Sequence, residues 1–128
     1  MSTCPFASKL TGKGLDFFHS ITDENVIEFQ NKHNDDCHYD DKTSRRILFV
    51  NIIYEEWYFF WENYQKLNHI DDSVRDDIYD AKYNKLYFEA SGKFLQKKEY
   101  FVDNNFILNR ISKSDNLIFN IERYINQI

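Results

Sequence analysis

Two histidines, one cysteine and four aspartates lie within the nine residues His33 to Asp41, the densest group of potential ligands in the chain. A zinc ion would draw on His33, Cys37 and His38, because imidazole nitrogen and thiolate sulfur are its preferred donors. Their spacing matches neither a zinc finger nor a histidine pair one helical turn apart around a glutamate. The segment also lacks the alternating oxygen ligands, central glycine and terminal glutamate of a calcium-binding EF-hand loop. A run this rich in Asp and Asn has the composition of a solvated acidic loop, and neither a metal nor another cofactor is expected.

Paired carboxylates recur at Asp35-Asp36, Asp40-Asp41, Glu55-Glu56, Asp71-Asp72 and Asp76-Asp77. Acid–base catalysis needs two carboxyls in different environments across a cleft, which adjacent doublets do not provide. Asp71, Asp72, Asp76 and Asp77 suit the first turn of a helix, where the dipole favours negative charge. Glu56 differs, because it lies towards the aromatic side of an apolar helix. It is expected to be held there by a structural ion pair with Arg45, Arg46 or Arg110. The four histidines are scattered with no companion nucleophile, and three glycines are too few for a phosphate-binding loop. Cys4-Pro5 alone says almost nothing about haem. The chain is therefore expected to be a binding protein and not an enzyme, with a small metal-dependent helical enzyme on the His33–His38 loop as the alternative.

The elements that would position these groups are helical. Gly 3 and Pro 1 in 128 residues are too few for the many tight turns of a sandwich or barrel. The segment ILFVNIIYEEWYFFWENYQKL, Ile47 to Leu67, holds both tryptophans. Ile47, Val50, Tyr54, Trp57, Trp61 and Tyr64 alternate at spacings of three and four, one helical face at coiled-coil period. Phe49, Ile53, Phe60 and Leu67 widen that face, leaving Asn51, Glu55, Glu62, Gln65 and Lys66 as the polar stripe. A helix so apolar around its girth must be covered on several sides. Thr43 or Ser44 is expected to cap it, and it runs to about Asn68.

Around it the spacing predicts an irregular segment from Met1 to Gly14, with Leu15, Phe17 and Phe18 as a short apolar turn. A helix follows, capped by Thr22 and running to about His33. Asn68 to Asp72 reads as a turn. Ser73 to Asp76 is an acidic capping box, opening a helix stopped by Gly92. Residues 93–102 read as a further helix or, with 84–90, as a hairpin about Ser91-Gly92. Phe106 to Ile111 is a short helix, and Ser114 or Asp115 caps the last one. The expectation is one mostly α domain, a bundle of about five helices around the aromatic helix, with α+β as the alternative.

Charge narrows the job. The net charge is −5, which disfavours direct binding to a phosphate backbone. From Asp23 to Asp41 there are seven acids and one lysine; from Asp71 to Asp80, five aspartates and one arginine; from Lys82 onward, eight bases and five acids. No long apolar run marks a signal peptide or membrane anchor, and two cysteines without metal or redox spacing fit a reducing cytosol. Clustered carboxylates steer association and imitate the charge of a nucleic acid. The leading expectation is a cytoplasmic protein that neutralises a basic protein partner, most concretely an immunity or antitoxin-type inhibitor of a toxin nuclease. A close variant inhibits a nucleic-acid-handling complex by charge mimicry, and a third possibility is a self-associating structural module. The acids expected to face the partner are Asp35, Asp36, Asp40 and Asp41, then Asp72, Asp76, Asp77 and Asp80, with Tyr39 and Tyr79 as aromatic anchors.

Overall fold

The computed structural model describes residues 7–33, 39–68, 77–111 and 116–126, with the backbone alone for 77–81. They form a short 3-10 turn at Ala7–Lys9 and six α-helices: α1 (Gly12–His19), α2 (Asp23–Lys32), α3 (Asp41–Leu67), α4 (Asp77–Lys98), α5 (Asn104–Ile111) and α6 (Leu117–Asn126). Among the described residues the β-pairing is confined to one antiparallel bridge, Leu10 to Phe101. The molecule is thus a mostly α bundle around an aromatic helix, without the alternative hairpin.

Helix α3 is longer than its apolar run. Asp40, not Thr43 or Ser44, caps it: the Asp40 carboxylate accepts the Thr43 amide at 2.7 Å. Ser44 lies inside the helix and is fully buried. The 27 residues span about 40 Å at helical rise. The buried seam is Phe49, Val50, Ile53, Trp57 and Trp61. Tyr54, expected on that seam, is half exposed, and Leu67 is largely exposed.

Helix α4 runs antiparallel along this seam. Its rings meet the tryptophans edge to face, with Trp61 against Tyr83 at 5.4 Å and against Tyr87 at 5.0 Å, and Trp57 against Phe94 at 5.4 Å. Each such pair is worth about 0.5–1.5 kcal/mol beyond the area it buries. The sequence expectation that Gly92 stops this helix is corrected here. The apolar stripe Leu86, Ala90, Phe94, Leu95 continues through it, and burying those residues outweighs the weak helix propensity of one glycine. The helix ends instead at Glu99, whose φ of 59° is left-handed backbone that normally favours glycine.

Both flanks depend on that end. Where an irregular segment is expected, Thr11 caps α1 by accepting the Gly14 amide at 3.0 Å, and the Thr11 hydroxyl donates to the Glu99 carbonyl. The Thr11 amide donates to the Tyr100 carbonyl and the Val102 amide to the Lys9 carbonyl, both at 2.9 Å. Gly14 is buried where α1 meets this strand-like stretch. A Cβ there would collide with the Tyr100 carbonyl, whose carbon would lie 3.0 Å away. Thr22 caps α2 as expected, in a capping box with Asn25. Asp103 caps α5, and Asn116 caps α6 by accepting the Phe119 amide at 2.7 Å. Ser114 and Asp115, expected to cap α6, lie outside the described residues, as do Ser73 and Asp76 of the expected capping box.

The glycines give opposite predictions. Gly92→Ala meets only the Leu108 side chain at 3.9 Å, so urea unfolding should show a gain of about 0.5–1 kcal/mol. Gly14→Ala should cost about 1–3 kcal/mol in the same measurement, because the obstruction is backbone.

Candidate partner-binding surface

The first acidic block is described from Tyr39 onward. Its end is held by α2: Gln30 donates to the Tyr39 carbonyl at 3.1 Å and to the Asp41 carboxylate at 2.9 Å. Tyr39 is half-buried, with its ring 5.8 Å from Phe29, and the His33 ring lies 4.5 Å from the same Phe29. Asp40 and Asp41 are exposed. Hydrogen bonds from the Thr43 side chain and backbone hold the Asp40 carboxyl below the ordinary carboxylate range, so it is ionised at neutral pH. These two acids therefore organise the start of α3 and also present negative charge to solvent.

Asp35 and Asp36 lie outside the described residues, with Cys37 and His38 of the potential zinc loop, and so do Asp72 and Asp76. Asp77, Tyr79 and Asp80 fall in the first turns of α4, where the backbone alone is described. Because α4 is antiparallel to α3, those turns lie towards the C-terminal end of α3. Asp40 and Asp41 therefore stand at one end of a rod about 40 Å long, away from the turns that carry Asp77 and Asp80. Among the described residues no group of three or more His, Cys, Asp or Glu side chains is placed to hold a metal ion.

Along α3 lies an exposed aromatic surface of which only Tyr54 is expected on the buried seam from the sequence. Tyr54, Tyr58 and Phe59 of α3 are 51%, 49% and 68% exposed, too much for rings that only fill a bundle. The Tyr54 and Tyr58 rings stack along the helix at 6.4 Å. They open into a groove of about 410 Å³ between α3, α4 and α6, lined also by Trp57, Trp61, Tyr87, Asn116, Ile118, Phe119 and Glu122. The Tyr87 hydroxyl at its floor accepts the Leu117 amide at 3.0 Å. The hydrogen bond and charge of Glu62 push the Tyr58 hydroxyl above its usual pKa. The signal in the sequence was the i, i+4 pair Tyr54 and Tyr58 next to Phe59, more rings than one seam can bury.

Glu56 is held in an ion pair as expected, but with a different base. Arg45 is taken by the Ile21 carbonyl and by Asp23, and Arg110 lies over the Phe106 ring. Lys98, at the end of α4, meets Glu56 at 3.0 Å, and the Tyr100 hydroxyl donates to the same carboxylate at 3.2 Å. Both carboxylate oxygens are occupied, so the cluster fastens α3 to the end of α4. Burial, then the charge of Glu56 and the hydrogen bond to it, push the Tyr100 hydroxyl up to about 12.

The geometry defines a class, an all-α bundle on one long aromatic helix with an acidic–aromatic outer face. No known protein family matches the chain, and neither does any curated protein or solved structure. Among the described residues no helix is long and apolar enough to cross a membrane.

The raised Tyr100 pKa makes stability fall at alkaline pH. The hydroxyl ionises near 10 in the unfolded chain and near 12 in the fold, so its contribution is complete below 10 and is lost as pH rises from 10 to 12. Ultraviolet titration of phenolate should show one tyrosine fewer ionising late in Tyr100→Phe, and an earlier Tyr100 transition in Glu56→Gln.

Proposed function

We propose that the protein binds and neutralises a basic protein partner, most concretely as an immunity-type inhibitor of a toxin nuclease. One observation carries the reading: the outward face of α3 exposes Tyr54, Tyr58 and Phe59 beside Glu55, on a helix whose start carries the exposed Asp40 and Asp41. Aromatic rings framed by carboxylates match the make-up of binding hot spots, where rings supply contact area and charge sets approach and orientation. The net charge of −5 gives long-range attraction to a positively charged surface. A nuclease presents such a surface by necessity, because it must hold a phosphate backbone.

The tagged chain, passed through extract of its own host at about 50 mM salt, should retain a protein of pI above about 9 and release it by about 0.5 M. An equimolar amount of the chain should block that protein's cleavage of nucleic acid. Asp40→Asn/Asp41→Asn keeps a residue able to cap α3 while removing charge, and should weaken retention together with Tyr58→Ala. Retention of the chain alone, or retention indifferent to salt and to these substitutions, would overturn the proposal.

A further inference from the structure

The groove between α3, α4 and α6 has a composition that selects its occupant. Its accessible rings are those of Tyr54, Tyr58 and Phe119, set over the buried Trp57 and Trp61. Such faces carry partial negative charge and attract cations. Two carboxylates reinforce that attraction. Glu122 lines the groove, and Glu62 holds the hydroxyl of Tyr58 at its mouth. On the adjoining ring, the guanidinium of Arg123 already lies 4.8 Å from the centroid of Phe119, so this end of α6 accommodates a guanidinium on an aromatic face.

We propose that this groove receives the side chain of an arginine presented by the basic partner. The proposal rests on the partner-binding reading above and gives it a contact point. A volume of about 410 Å³ admits a whole arginine side chain with room for the backbone that carries it. Arginine fits better than lysine because its charge is planar and weakly hydrated, so it stacks on rings at a smaller desolvation cost. The aliphatic stem would lie along Ile118, while the guanidinium reaches Glu122. An apolar side chain would leave that carboxylate facing it without a partner.

Both tryptophans of the chain line the groove, so intrinsic tryptophan emission reports its occupancy. N-acetyl-arginine amide titrated into the intact protein should change the emission saturably. It should bind about 5-fold more tightly than the citrulline analogue, which has the same shape without the charge. Glu122→Gln and Tyr58→Ala, both at exposed positions, should each weaken it by about 3-fold or more while circular dichroism stays unchanged. An equal response to citrulline or to the lysine analogue would overturn the assignment, as would a linear, unsaturable response. A sedimentation coefficient that rises with concentration and no longer does so in Phe119→Ala would place a second copy of the chain there, and would overturn it too. A chain that captures its basic partner without a saturable arginine response loses the groove assignment alone. A chain that binds arginine here but captures no partner loses the partner reading alone.

Discussion

The bundle depends on the contact between the rings of α3 and those of α4. Trp57 and Trp61 stack on one another at 5.7 Å, and the α4 rings Tyr83, Tyr87 and Phe94 close against them edge to face. That contact sets the antiparallel register of the two longest helices. Register in turn decides what else can meet. The same packing brings Lys98 to Glu56, and the end of α4 is delivered to the place where α1 and the bridge residues assemble. The α6 helix closes the remaining side with Leu117, Ile121, Tyr124 and Ile125 buried. It leaves Tyr54 and Tyr58 of α3 open beside it, which is how the groove arises.

The end of α4 is the second point of organisation. A non-glycine residue held at a φ of 59° costs about 1–2 kcal/mol. Glu99 is held there because its carbonyl receives the Thr11 hydroxyl and the next residue, Tyr100, is fixed by Glu56, by the stacked ring of Phe17 at 4.8 Å and by the Thr11 amide. A glycine in that place would relieve the backbone but would enlarge the ensemble of the unfolded chain.

Much of this was legible in the sequence, and the gaps have physical causes. The central helix, its burial and the Thr22 cap follow from local spacing, so they were readable. Gly92 misled because a glycine is a common stop signal, while its surroundings are decided by Phe94 and Leu95 packing several residues later. Asp40 took the capping role from Ser44 because the helix extends past the apolar run that marked it. The partner of Glu56 lies 42 residues away and depends on the α3–α4 register, which composition does not encode. The groove was hidden for a related reason. In a helix with rings all round, the pattern shows that several faces are apolar but not which of them a neighbour leaves bare. Asp40 and Asp41, expected in the loop before the aromatic helix, are instead its cap and its first residue, because the helix begins ahead of the apolar run.

The ties around Lys9 carry a consequence for how the protein is made. Lys9 donates to the Tyr124 carbonyl at 2.6 Å, and the Tyr124 hydroxyl donates back to the Lys9 carbonyl at 3.1 Å, across 115 positions of chain. Leu10 and Thr11 wait likewise for Tyr100 and Phe101. The segment from Ala7 to His19 is made before its hydrogen-bonding partners, which arrive with Glu99, Tyr100 and Val102 and are complete only when Tyr124 of α6 has emerged. Phe17 and Phe18 can meet Phe49 once α3 is made, but the Tyr100 ring that stacks on Phe17 comes some fifty residues later still. The order of synthesis and the order of assembly are therefore opposed in this fold, and its earliest residues are among the last to find their place.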